Sequence, residues 1–452
     1  MSYLDSEFYQ PLFEAIATGD EAQIQAAAAT FNAADLAEFV EENPDNEEGV
    51  RLLRALTTEQ SAKVFGYIGP NTQTLIAELL PTRDLAELVT AMPSDERADF
   101  FNLLDENRQH TLFQSLASKE REDLRRLASF EEGTAGALMS SEYAVISTGM
   151  SASAAINLLR NTAPDKETIY QAYVIDNQHK LVGAVSLRNL ITAMPGTPVD
   201  DLIATGLVTA STETPQEEVA RLISRYDLLA LPILDQDERL VGIVTYDDAM
   251  DVAEEEATED IHKGATVGKL ETGLRDATPF SLYRSRVQWL VILVFANIFT
   301  GAGIAYFEDI ISEHIALLFF MPLLVASAGN AGAQSATLMV RGMATGDVTV
   351  ADWGKLLGKE TLVASALGIT MAAAVMVVGF MRAGPEIAFV VAVTMIAVVM
   401  VGSLIGMLLP FLLDKLKFDP ATASTPLITT IADVSGVLIY FSVATALLGL
   451  SQ

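Results

Sequence analysis

The chain has 452 residues, 28 Lys+Arg against 59 Asp+Glu for a formal net charge of −31, half of its residues hydrophobic and no cysteine. Such acidity excludes nucleic acid as a ready partner, and the lack of cysteine excludes disulfides and thiolate metal sites. The charge is unevenly placed: residues 283–452 hold 8 Lys+Arg against 10 Asp+Glu, so the preceding part carries 20 against 49.

The first residues, Met-Ser-Tyr-Leu-Asp-Ser-Glu, lack the basic start and apolar core of a signal peptide. From there to residue 132 the pattern predicts short helices at 83–93, 95–104, 108–116 and 121–130, with apolar positions three and four apart and a unit recurring at about a dozen residues. This predicts an acidic all-α superhelical domain suited to contact and ion binding.

Over 138–250 the period changes and an internal repeat appears at an offset of 59: residues 180–186 (Lys-Leu-Val-Gly-Ala-Val-Ser) match 239–245 (Arg-Leu-Val-Gly-Ile-Val-Thr), each after a strand ending in Asp176 or Asp235. Helical segments precede those strands at 154–160 and 217–225. These residues resemble a tandem CBS pair, at about 138–197 and 198–250, an α/β module that often binds adenosine nucleotides. The resemblance implies ATP or another adenosine nucleotide as a ligand, with Thr245 and Asp248 in the ribose-contacting Ser/Thr-x-x-Asp pattern. The first half has Ser186 and Asn189 at the corresponding positions.

Fifteen acidic residues fall between Glu213 and Asp260, opposed by Arg221, Arg225 and Arg239. The densest part, 247–268, reads as an acidic connecting helix in which Asp247, Asp251, Glu255 and Glu259 repeat every four residues, with Glu256 and Asp260 as another such pair. Each like-charge pair costs a helix roughly 0.2 to 0.5 kcal/mol. Divalent cations bound between this helix and a second acidic surface remove that cost, which makes the segment a charge switch for a hard cation. The plainer reading is a solvated face. Gly264 to Lys269 and Gly354 to Lys359 have the wrong spacing for a phosphate loop, and no catalytic constellation emerges, so no enzyme is expected.

Uncharged stretches at 287–307, 315–340, 361–381 and 387–413, and a fifth at 421–452 interrupted only by Asp433, predict an α-helical membrane domain over 283–452. Its five spanning helices are expected at about 285–307, 314–341, 356–382, 386–413 and 422–450. Arg284, Arg286, Arg341, Lys355, Lys359, Lys415 and Lys417 mark the cytoplasmic ends, giving a cytoplasmic N-terminus and an external C-terminus.

A carboxylate at mid-membrane costs roughly 2.5 to 3.5 kcal/mol even on the mildest scale, so Asp433 is expected to face a wet path. Thr425, Thr429 and Asp433 follow at i, i+4 and i+8 on one helix face. In the second apolar segment Ser327, Asn330, Gln334, Thr337 and Arg341 form a polar stripe, expected to face Asp433. A bland alternative is an Asp that only hydrogen-bonds a neighbouring helix. One carboxylate per chain suits hydrated Mg²⁺, and a symmetric dimer would pair two copies on an axis.

Taken in order, the acidic helical domain, the repeat, the acidic helix and the five apolar segments resemble the bacterial MgtE-type magnesium channels. The most specific matches are 254–263, Gln334-Ser-Ala-Thr-Leu, the Leu-Pro410-Phe-Leu-Leu run with Asp419-Pro420, and 426–440 around Asp433. Ala333 and Thr425 stand where the family commonly has Asn. The resemblance implies a Mg²⁺ uptake channel, homodimeric, in the plasma (inner) membrane, with a pore metal site at Asp433, Thr425, Thr429, Asn330 and Gln334. It also implies closure by cytosolic Mg²⁺ at Glu217, Asp227, Asp248, Asp251, Glu256, Glu259, Asp260 and Asp419, with Asp95 from the N-terminal domain. Two rival readings stay open: the same architecture carrying Mn²⁺, Co²⁺ or Ni²⁺ or exporting the ion, and a membrane-tethered nucleotide sensor.

Overall fold

The computed structural model describes residues 8–42, 47–163, 166–268, 270, 274 and 277–448. The first seven residues, on which the expectation about a signal peptide rests, and positions 449 and 450 of the last expected helix lie outside them. The chain divides into two units, Met1–Glu254 and Glu255–Gln452.

The first unit begins with ten described helices, from Gln10–Thr18 to Ser118–Leu127, none longer than ten residues. Helices this short are marginal alone, so packing and caps hold them. Thr57 and Gln60 form a reciprocal capping box, and Asp105 accepts from the amides of Asn107 and Arg108. Helices pack on their next-but-one neighbours and bury Phe39, Leu52, Phe65, Ile76 and Phe100 in one core. Phe65 meets Phe100 edge-on with ring centroids 5.1 Å apart.

Two three-stranded sheets follow. In the first, Tyr143–Ser147 pairs parallel with Thr168–Ile175, which pairs antiparallel with Leu181–Ser186. The second repeats this order with Ala210–Ser211, Ala230–Leu234 and Leu240–Thr245. The parallel steps need a crossover, made by helices Ala152–Thr162 and Gln216–Tyr226. The repeat extends to the turns. Asp176 Oδ1 accepts from the amides of Gln178 and Lys180, Asp235 Oδ1 from those of Asp237 and Arg239, and His179 and Glu238 have φ of 62° and 63°. Tyr173, Ala184, Ala230, Leu240 and Ile243 close the core between the two halves. The acidic helix Tyr246–Gly264 then passes from the first unit into the second.

Among the described residues of the second unit four helices are long and apolar enough to cross a membrane by length and composition. One of them, Trp353–Lys415, has 63 residues, about 95 Å of helix at 1.5 Å per residue and far more than the roughly 30 Å of a bilayer core. It breaks at Gly384, whose φ of 84° and ψ of 173° lie outside the helical region, just before Pro385. Its halves fold back on each other: a Cβ on Gly379 would lie 2.9 Å from Ala388 Cα, one on Gly368 3.0 Å from Ile396 Cα, and Ser403 hydrogen-bonds Glu360. The second half packs backbone to backbone on helix Ala316–Ala344, where a methyl on Gly402 or Gly406 would overlap the carbonyls of Ala328 or Gly332. That central helix meets the last, Thr425–Leu447, through Gly329 against Thr429 and Gly332 against Ile428. Helix Pro279–Tyr306 lies outside, touching Val437 and Leu438 at Gly303.

Candidate cation sites

The first unit gathers carboxyl groups where its helical part meets its α/β part. Helix Ser94–Leu103 enters this junction by its N-terminus. Ser94 Oγ lies 3.1 Å from Ser140 Oγ and accepts from the Ser141 amide at 2.8 Å. Buried Arg97 donates to the carbonyls of Val89, Thr90 and Met92 at 3.0, 3.3 and 2.8 Å, and to Glu142 Oε1 at 3.3 Å. These bonds seat the adjacent Asp95 and Glu96.

Asp95 is 7% exposed, and neither its Oδ1 nor Oε2 of Glu96 has a hydrogen-bond partner among the described residues. Burial raises the Asp95 carboxyl well above its ordinary range, and the charges of Asp248 and Glu167 raise it further. Glu96 is pushed up to about 7 by burial, then by Glu167 and Asp248. Glu167, also at about 7, responds to burial, then to Asp248, Glu142 and Asp247, against a hydrogen bond from Ser140. Asp248 is raised by burial despite hydrogen bonds from Thr245. Four acids from three segments therefore crowd a poorly solvated region, and no cation stands among the leading influences on any of them.

Two of these acids, Asp95 and Asp248, carry the sequence-based expectation; Glu96 and Glu167 do not. Glu217, Asp227 and Asp251 lie on the exposed surface, Asp227 as the left-handed cap of helix Gln216–Tyr226. Burial and its neighbours Asp247 and Glu254 raise Asp251. Among the described residues no three acidic or imidazole groups form a ready-made metal cage. The arrangement suits an ion that keeps part of its water, as Mg²⁺ usually does.

Thr245 and Asp248, the ribose-pattern pair, engage each other: the Thr245 hydroxyl donates to Asp248 Oδ2, and its amide does so at 3.2 Å. Thr245 is itself buried. In the first half Ser186 Oγ accepts from the Asn189 amide at 3.1 Å. Both pairs cap a helix, and Asp248 faces the acidic cluster as well.

A second cluster lies in the second unit and has its own cation. Lys263 Nζ binds Asp419 Oδ2 at 2.5 Å and also pairs with Glu259. Burial acts to lower the Lys263 ammonium, but its hydrogen bonds to Asp419 and Glu259 outweigh this and raise it. Asp260 is raised by burial, then by Asp419, with Lys263 opposing and Glu256 and Glu259 adding. So Glu259, Asp260 and Asp419 do come together, around an ammonium that the sequence reading overlooked.

In the membrane unit Asp433 is half-buried on the last helix, and no hydrogen-bond donor engages its carboxylate among the described residues. Thr425 is exposed, and the Thr429 hydroxyl turns back to the Pro426 carbonyl at 3.0 Å while its methyl packs on Gly329. The polar stripe is partly redirected. The central helix faces the last helix with Val325, Gly329 and Gly332, because only small residues allow that approach. Asn330, Gln334 and Thr337 lie on the adjoining exposed face, whereas Ser327 is buried and bonded to the Leu323 carbonyl at 2.7 Å.

The family models match in chain order: an MgtE intracellular N domain over 31–133, CBS domains over 135–196 and 199–255, and a divalent cation transporter domain over 321–443. A magnesium transporter MgtE of Thermus thermophilus is 38% identical over 449 residues, covering 97% of this chain and 98% of that protein. The chain belongs to the MgtE family. The magnesium transporter MgtE of Bacillus subtilis is 33% identical, with 91% of each chain covered. Among solved structures, the cytosolic domain of the Mg²⁺ channel MgtE in complex with ATP is 35% identical, covers 54% of this chain and 99% of its own, and superposes with a TM-score of 0.52. The soluble part of a magnesium transporter, 28% identical over 56% of this chain and 99% of its own, gives 0.53. The chain is thus a multi-pass membrane protein of a transporter family, with a helical N domain and a CBS pair before its apolar helices.

Proposed function

We propose that this MgtE-family protein is a passive, homodimeric Mg²⁺ uptake channel of the plasma membrane, closed by Mg²⁺ on its cytoplasmic side. The break at Gly384 supports reading the 63-residue helix as two passes, for five spans in all. The basic ends at Arg341, Lys355, Lys359, Lys415 and Lys417 face the cytoplasm and the C-terminus lies outside. One observation carries the reading: a half-buried carboxylate at Asp433 and two exposed amides at Asn330 and Gln334 lie within the long apolar helices of a single chain. Lipid strongly penalises such groups, so a partner subunit and a water-filled path account for them.

In this reading the ion is the cargo. Asp433 draws a hydrated Mg²⁺ by charge, and Thr425, Thr429, Asn330 and Gln334 offer oxygens and amides to its water shell. On the cytoplasmic side Asp95, Glu96, Glu167 and Asp248 form one regulatory site. Glu256, Glu259, Asp260 and Asp419 form another, where the ion competes with Lys263 for carboxylates. Glu217, Asp227 and Asp251 extend the acidic surface that collects it. Adenosine nucleotide, as in the ATP complex of the related cytosolic domain, is assigned to the CBS pair near Thr245 and Asp248.

The test is Mg²⁺ flux into vesicles holding the full chain: Asp433→Ala abolishes it, and unchanged flux refutes the pore assignment. A second reading, broader divalent selectivity, is favoured by Ala333 and Thr425, which leave two fewer amides beside the path. Competition by Mn²⁺, Co²⁺ and Ni²⁺ against Mg²⁺ separates the two.

A further inference from the structure

We propose that a groove at the basic end of the membrane unit binds an anionic phospholipid, with an acyl chain along the groove and the headgroup phosphate on Lys415. The cavity measures about 790 Å³, within the roughly 300 to 1,000 Å³ typical of small-molecule sites. Its walls are Ile405, Leu408 and Leu412 from the second half of the broken helix, Ile431 from the last helix and Trp353 from the first half. Lys415 is the one charged residue among the described lining. It is exposed, and no carboxylate pairs with it among the described residues.

A second groove between the same two half-helices gives the contrast. It measures about 660 Å³ and is lined by residues such as Ile369, Met376, Phe380 and Phe389, towards the Gly384 turn, with no charged residue in its described lining. Any lipid tail fits there. Of the two, it is the groove at the basic end that joins an apolar trough to an unpaired ammonium and an indole, the side chains that sit at headgroup level.

A second copy of the chain is the competing occupant. Ile431 precedes Asp433 by two residues, about 200° around the helix at 3.6 residues per turn. If Asp433 faces the subunit axis, as the proposed function has it, the groove opens away from that axis towards lipid. Choosing lipid over a second copy rests on that reading, but the binding test does not.

The chain has two tryptophans, so Trp289→Phe leaves Trp353 as the sole reporter beside the groove. The full-length variant is placed in phosphatidylcholine vesicles containing a minor fraction of phosphatidylglycerol with brominated acyl chains, and Trp353 quenching is compared with that from the same fraction of brominated phosphatidylcholine. Phosphatidylglycerol should reach half-maximal quenching at a roughly fivefold lower fraction, the equivalent of about 1 kcal/mol for one basic side chain at an anionic surface. Lys415→Gln should erase that difference, and Lys417→Gln should preserve it. Equal quenching by the two lipids, or a preference that survives Lys415→Gln, overturns the proposal. So does efficient subunit-to-subunit crosslinking through Leu408→Cys, a clean probe in a chain without cysteine. None of these readouts involves ion flux, so a failure of the Mg²⁺ reading would be seen separately.

Discussion

The two acidic clusters solve the same electrostatic problem differently. Around Asp95 the carboxyl groups of Glu96, Glu167 and Asp248 crowd with no cation among the leading influences on them, and both glutamates are pushed up to about 7. Around Asp419 the chain supplies Lys263, which bridges to Glu259. The first cluster relaxes only by taking up protons or an outside cation, whereas the second is already partly neutralised and gives up its ammonium when another cation arrives. Proximity of acids alone therefore does not define a cation sensor; what counts is whether the fold has answered the charge itself.

The sharpest way to break the comparison is Arg97→Ala. This guanidinium holds three carbonyls and Glu142 at the edge of the uncompensated cluster, and losing one partner of a buried pair costs about 3 to 5 kcal/mol. Thermal unfolding of the full chain should show a large drop in the transition of the first unit, while Mg²⁺ flux stays measurable at low temperature.

A smaller effect of opposite sign is expected from Glu96→Gln and Glu167→Gln. Each carboxyl moves from 4.5 to about 7, so the folded state binds more protons than the unfolded state between those values. Stability is complete below about pH 4.5 and is lost as pH rises towards 7. Without divalent ions the first unit should melt lower at pH 8 than at pH 5. Either amide should recover up to about 3 kcal/mol at pH 8 and flatten the pH profile. A profile that rises with pH would contradict the burial of these acids.

Smallest is Lys263→Met. Its pairs are more than a third exposed at the carboxylates, so the loss in the absence of divalent ions should be about 1 kcal/mol or less. Mg²⁺ should then close the channel at a severalfold lower concentration, because nothing competes for Glu259 and Asp419. An unchanged midpoint in flux titrations would remove Lys263 from the regulatory site.

Much of this layout is legible in the chain. The 59-residue offset is readable because both halves place an aspartate at the same turn, and Asp176 and Asp235 accept equivalent backbone bonds. Asp433 stands out because nothing else in its segment carries charge. Glu96 and Glu167 leave no such signal: Glu96, an acid in the first turn of a helix, reads as a favourable partner of the helix dipole, Glu167 reads as an ordinary acid before a strand, and only distant segments folding over them turn them into strained ones. Lys263 is hidden for the same reason, since a lysine near a helix C-terminus is ordinary until Asp419 arrives beside it. The polar stripe is legible in its composition but not in its orientation, because glycines claim the contact with the last helix and Asn330 and Gln334 lie on the next, exposed face.

The most direct test of the account is protease cleavage within 247–268 of the full-length protein at pH 8, with millimolar-range Mg²⁺ compared with Na⁺ at equal ionic strength. The account predicts slower cleavage in Mg²⁺ alone, and no such protection once Asp95→Asn and Asp248→Asn are combined. Equal cleavage in the two salts would mean that the acids are merely screened and that no divalent ion is bound among them.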